Sequence, residues 1–344
     1  MTLTEALDRT TARQREIEEA ARIVQAEMLY WLARLDPDDI MGSWFGDVLP
    51  GLYTSLMRGQ TRAATGASAY VAEAAAIMGL DASTAYQVAP EAFAGAAADG
   101  RPLSSMLTTP ALRARLAVEQ RGQSPAWAVG QVRNSVLLMA ASETADAGRG
   151  AAQVAMAGTR SVTGYIRCIN AGACRRCAVL AGRWYRWSAD FHRHKRCQCY
   201  GTPAGPGGDH PRNRRIPDWR VSPRAYFNHL STRDQDRLFG PGGAEAIRAG
   251  ADIPSVVNAR RNKTQLKRLD FGGTTVVSTT EGVTRHGWFS YVRRGLERVE
   301  GRPLSRLRLT PEAIFRLSAD REELIRLLGR HGYLTGSAAD IARL

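Results

Sequence analysis

CINAGACRRCAVLAGRWYRWSADFHRHKRCQC, residues 168–199, holds all five cysteines of the 344-residue chain and two of its six histidines. Cys174-Arg-Arg-Cys177 stands on one side and His194-Lys-Arg-Cys197-Gln-Cys199 on the other, with 16 residues between Cys177 and His194. A Cys-x2-Cys pair followed after a gap by a His-x2-Cys pair has the spacing of a tetrahedral zinc site. Each pair supplies two ligands from a short segment, and the spacer lets the second pair close the tetrahedron. Cys174, Cys177, His194 and Cys197 are the first choice of four ligands, with Cys199 and His192 as further candidates. One residue separates Cys197 from Cys199, and we expect the two to face opposite ways in an extended segment, so that sharing one ion requires a turn. Cys168, six residues before the first pair, reads as a buried thiol outside the site.

Two other uses of the cysteines compete with a structural metal. Disulfides are disfavoured by the odd cysteine count and by an opening, MTLTEALDRT, without an apolar leader, which together suggest a reducing compartment. A catalytic metal needs an open coordination position and a nearby general base. The block contains no Glu and a single carboxylate, Asp190, and neither His-Glu-x-x-His nor the His-x-Glu signature of zinc deaminases occurs in the chain. A closed structural zinc site is therefore the expectation.

Charge divides the chain around this block. Residues 1–150 carry 13 basic against 17 acidic residues, a net of −4; residues 151–344 carry 34 against 16, a net of +18. The half that bears the cysteines is thus the one attracted to polyanions, nucleic acid first among them. Arg193, Lys195, Arg196, Arg212, Arg214 and Arg215 are the candidate contacts. Of the 47 basic residues 44 are arginine, a bias that GC-rich codon usage also produces. No run of 18 apolar residues exists, so no membrane-crossing helix is expected and the chain reads as soluble.

Upstream, residues 1–108 read as a helical domain. Leu3, Leu7, Ile17, Ala20, Val24, Met28, Trp31, Leu32 and Leu35 recur at intervals of three and four, giving a stripe that reads as the core of a bundle. Asp36-Pro37 stops this helix, because the residue before proline avoids helical geometry. From Tyr53 to Gly100 the composition shifts to alanine, with breaks at Gly79 and Ala89-Pro90 that predict three short helices. Thr109-Pro110 and Ser124-Pro125 read as helix starts, and the second predicts a helix from Pro125 to about Ala157 that leads into the cysteine block.

Residues 109–265 read as a central module around the block 168–199. Tyr165–Ile169 and Arg183–Trp187 have the aromatic and β-branched content of short strands, which predicts a small β-hairpin holding the metal. Pro203 to Pro217 reads as a loop connector. Helices are expected from Ser222-Pro223, from the capping sequence Ser231 to Asp234, and over Ala244–Gly250. In the extension, residues 266–344, Thr274–Thr280 reads as a strand. Trp288, Phe289 and Tyr291 beside Arg293 and Arg294 read as half-buried anchors, or alternatively as a platform for bases. Thr310 to Leu328 reads as one amphipathic helix. The fold class is α+β and predominantly α-helical, with an N-terminal helical domain, a zinc-stapled module and a helical extension.

These pieces resemble the phage head morphogenesis, or minor capsid, proteins of the Mu F type in their actinobacteriophage form. The likeness is carried by Gly164-Tyr165-Ile166-Arg167, by Ala173–Arg183, by Phe191-His192-Arg193-His194 with Cys197-Gln198-Cys199, and by Gln235–Gly240 and Ala246–Ile253 with Val256–Arg260. Thr279–Arg285 and Leu309–Phe315 resemble the family's C-terminal extension. The likeness spans about residues 110–344. It implies a protein inside the phage head near the portal, assembled in the host cytoplasm and acting in head assembly and in DNA retention or ejection. Its implied partners are the portal protein, the major capsid protein and packaged double-stranded DNA. Relatives of this group labelled as capsid maturation proteases, or carrying other enzymes on the same module, make an enzyme the rival expectation. No Ser and His spacing here singles out a nucleophile and base. His192 and His194 beside cysteines loosely suggest an HNH nuclease, but the other residues of that motif are missing.

Overall fold

A computed structural model describes residues 3–84, 87–189, 197, 199–206, 218–261, 264, 266–271, 273–284, 286–334 and 338–343. They are mostly helical, with two small antiparallel sheets. The chain forms two compact units, one of residues 1–173 and 182–216, the other of residues 174–181 and 217–344.

The first unit begins with α1 (Leu3–Leu32), whose buried side is the stripe Leu7, Ile17, Ala20, Val24, Met28 and Leu32. After α2 (Ile40–Ser43) and a π-helical turn (Trp44–Val48) come α3 (Leu49–Ala64), α4 (Ala67–Ile77) and a 3₁₀ turn (Pro90–Phe93), then α5 (Leu103–Arg121) and α6 (Pro125–Gly158). Trp44, Leu52, Leu56, Leu103, Leu107, Val132 and Val136 join Val24, Met28 and Leu32 in one core. Small residues set how closely these helices approach. A Cβ on Gly59 of α3 would overlap Val24 Cγ2, and one on Gly148 of α6 would lie 2.7 Å from Ile17 Cδ1 and 3.0 Å from the Ala63 carbonyl.

Ser124 opens α6 as expected: its side chain accepts from the Trp127 N–H, and Pro125 occupies the first turn where no intrahelical donor is needed. Pro110 does not open a helix. It lies inside α5, which starts at Leu103, and it is buried in the stripe Leu103, Met106, Leu107, Pro110, Ala111, Ala114 and Ala117. Burial of that continuous face outweighs the one backbone bond a proline forfeits.

α6 ends just before β1 (Gly164–Cys168). The predicted hairpin partner is present as β2 (Trp184–Arg186), paired antiparallel with Tyr165 opposite Tyr185. A third strand, β3 (Tyr200–Ala204), pairs on the other side of β1, so β1 is central and the sheet exceeds the predicted hairpin. Pro203 therefore belongs to an edge strand, where its missing N–H costs no ladder bond, and not to a loop; residues 207–217 of the predicted connector lie outside the described residues. A buried hydroxyl chain ties this sheet to α1 and α4. Cys168 Sγ lies 3.0 Å from Thr202 Oγ1, and Thr202 donates to Thr10 Oγ1 at 3.1 Å. Thr10 in turn donates to the Ala6 carbonyl at 2.7 Å, and Tyr70 donates to the Gly201 carbonyl at 2.8 Å.

The second unit contains α7 (Arg175–Leu180), α8 (Pro223–His229), α9 (Thr232–Phe239), α10 (Pro241–Arg248) and α11 (Ile253–Asn258). Ser222 caps α8 and Ser231 caps α9, each accepting the N–H three residues on. α10 begins at Pro241, earlier than the predicted Ala244, because proline at the first turn supports a helix start. β4 (Leu266–Phe271) and β5 (Thr274–Thr279) form a hairpin, followed by α12 (Trp288–Glu300) and β6 (Arg308–Leu309), which pairs with β5. Thr310 to Leu328 is two helices rather than one, α13 (Pro311–Leu317) and α14 (Arg321–Arg330). The break has a local cause: Asp320 accepts from the Glu323 N–H at 2.8 Å and starts a new helix. α15 (Ala338–Ala342) closes the described chain.

Arg308 organises the end of this unit. It is 3% exposed, its Nε donates to the His331 carbonyl at 3.0 Å and its Nη1 to the Glu281 carbonyl at 2.6 Å. His331 Nδ1 accepts from the Leu309 N–H at 3.3 Å. Burial, reinforced by Arg308 and Arg330, pushes the His331 imidazole down to about 4.

Candidate metal centre

Three of the five cysteines come together. The sulfurs of Cys177, Cys197 and Cys199 lie within 4.8 Å of one another, all three residues are buried, and none of the five cysteines is in a disulfide. Sulfurs at about 2.3 Å from a tetrahedral zinc ion stand about 3.8 Å apart, so the donor set fits a thiolate-bound metal. Thiolates select zinc, copper(I) or iron–sulfur centres over hard cations.

Cys197 and Cys199 belong to one face, contrary to the expectation of opposite facing. Side chains alternate at every residue of an extended chain, so positions two apart share a side. Arg149 of α6 fixes this pair by its backbone: Nε donates to the Cys199 carbonyl at 2.9 Å and Nη2 donates to the Cys197 carbonyl. Asp146, one helical turn earlier, accepts from Arg149 Nη1 at 2.7 Å and balances its charge.

Arg167, on the central strand β1, approaches from another direction. It is 1% exposed, and its Nη2 lies 3.9 Å from Cys197 Sγ. Its own backbone is locked into the sheet region, with the amide donating to the Arg183 carbonyl and the carbonyl accepting from Gly182, both at 2.8 Å.

The chain matches no known family model, no curated protein and no solved structure.

Among the remaining predicted ligands, Cys174 is half-buried at the N-cap of α7 and is not one of the three grouped sulfurs. His194 and His192 lie outside the described residues, as do Arg193, Lys195, Arg196, Arg212, Arg214 and Arg215. Cys168 is fully buried and engaged with Thr202, as its reading outside the site requires. Arg149 and Arg167 were not legible as site residues, because nothing in their local sequence marks them off from the other arginines.

In the second unit the aromatic and basic segment resolves into a mixed helix face. Phe289, Val292 and Leu296 are buried, while Trp288 and Tyr291 are exposed and stack on each other with centroids 5.3 Å apart. Among the described residues, no helix is long and apolar enough to cross a membrane.

Proposed function

We propose that this chain is a minor capsid protein of the Mu F type, acting in head morphogenesis beside the portal, with a structural zinc ion held by Cys177, Cys197 and Cys199. The fourth ligand in this reading comes from the predicted set, His194 first and Cys174 second. The observation that carries it is the group of three buried sulfurs, in a segment that also carries part of the resemblance to head proteins. The sheet β2-β1-β3 has strands of three, five and five residues, and the segment leading into β3 carries Cys197 and Cys199. A structural zinc site would staple that segment, and such sites contribute about 10 kcal/mol or more to folding in zinc-finger modules.

The basic half of the chain suits a location inside the phage head, against packaged double-stranded DNA or acidic surfaces of the portal and major capsid proteins. The test has two arms. Metal analysis of the purified chain is expected to give about one zinc per chain, lost in Cys197→Ser and Cys199→Ser together with cooperative unfolding. Co-expression with the portal and major capsid proteins of a phage that encodes this chain is expected to leave it in purified heads, and to lose it in the zinc-free variants. A chain without zinc removes the metal reading, and zinc-loaded chain absent from heads removes the capsid reading.

A further inference from the structure

We infer that Arg167 is the charge partner of the metal centre, a positioning residue whose guanidinium offsets the net negative charge of a zinc ion held by three thiolates. This rests on the zinc reading above. One zinc ion of charge +2 set against three thiolates and a neutral imidazole leaves one negative charge; a fourth thiolate would leave two. A buried charge of that kind needs a fixed counter-charge, because water cannot screen it.

Arg167 meets the requirement by position. All five residues of β1 are buried, and an arginine among them is a costly choice unless an anion faces it. Its Nη2 lies 3.9 Å from Cys197 Sγ, within reach of a charge-assisted N–H to sulfur contact. Its backbone is held at both amide and carbonyl, so the guanidinium is placed by the strand and does not depend on the metal for its location. Arg149 has a different task. Its donors serve the Cys197 and Cys199 carbonyls, and its charge is matched by Asp146. The pair divides the work: Arg149 sets where the two cysteines stand, and Arg167 sets the electrostatic environment of their sulfurs.

The experiment measures zinc affinity of the full chain by competition with a chromogenic chelator, for wild type, Arg167→Met and Arg167→Lys, with circular dichroism of each. Outer-shell partners of metal ligands typically change affinity 10- to 100-fold. Arg167→Met keeps the bulk of the side chain without its charge and is expected to bind zinc about 10- to 100-fold more weakly with its helical signal intact. Arg167→Lys restores the charge and is expected to return to within about threefold of wild type. Equal affinity in wild type and Arg167→Met overturns the assignment. Should the Met variant fail to fold, the Lys variant decides: a tenfold or greater loss in a folded Arg167→Lys protein shows that charge is not what Arg167 supplies. A wild-type chain that binds no zinc instead overturns the metal reading, and this assignment with it.

Discussion

Gly59→Ala on α3 sets two magnitudes against each other. Alanine in place of a helical glycine favours the helix by about 1 kcal/mol. The new Cβ, however, would overlap Val24 Cγ2 of α1 and stand 3.3 Å from Thr144 Oγ1 of α6. Val24 cannot swing aside, because a β-branched side chain in a helix is held in one strongly preferred rotamer, and it is 2% exposed in the main core. Overpacking of this kind costs about 1–3 kcal/mol, so the net effect is a destabilisation of about 1 kcal/mol despite the better helix former. Val24→Ala removes the obstruction. In that background the Gly59 change gains both the helix propensity and about 0.8 kcal/mol for a newly buried methyl, and its sign reverses. Urea denaturation of wild type, both single variants and the double variant yields the coupling energy, expected at about 3 kcal/mol. A stabilising Gly59→Ala in the wild-type background, or a coupling below about 0.5 kcal/mol, would refute the close-approach argument.

Arg149→Met removes two charge-assisted bonds to the Cys197 and Cys199 carbonyls, and urea unfolding is expected to show a loss of about 3 kcal/mol. Unchanged stability would mean that the backbone of the cysteine pair is held by other contacts. His331 makes a separate, pH-dependent prediction. Its folded value of about 4 lies below the ordinary 6.5, so the unfolded chain takes up the proton first as pH falls. The neutral form's contribution, at most about 3 kcal/mol, is complete above pH 6.5 and is lost as pH drops from there through 4. Unfolding titrations of wild type and His331→Asn should therefore differ in slope across that window; parallel curves would contradict it.

Local chemistry was written plainly in the sequence. The caps at Ser124, Ser222 and Ser231, the apolar stripe of α1 and the aromatic strands Gly164–Cys168 and Trp184–Arg186 all act within a few residues, so pattern reading reaches them. Pro110 misled for the opposite reason. Proline opens a helix in most contexts, and only the core stripe on both sides of it tells that α5 runs through. The split between α13 and α14 was missed because Leu317 and Leu324 stand seven residues apart, a spacing one continuous helix also gives, while the deciding event is one side chain, Asp320, capping a new start.

The cysteine block was legible as a candidate metal site because ligand types at short spacing are a property of the chain itself. Which sulfurs meet was not: Cys197 and Cys199 bring their sulfurs together, and Cys177, 20 positions before Cys197, joins them. The arginines that attend the site come from a helix and a strand whose sequences announce no such role. By itself the sequence determined the stripe of α1, the capped helix starts, the strands β1 and β2 and the chemistry of the donor set, since those follow from interactions between near neighbours. Only the tertiary structure decided that β1 is the central strand, that Arg149 and Arg167 reach the cysteine pair, and that Gly59 and Gly148 mark where helices touch, because each depends on contacts between residues far apart in the chain.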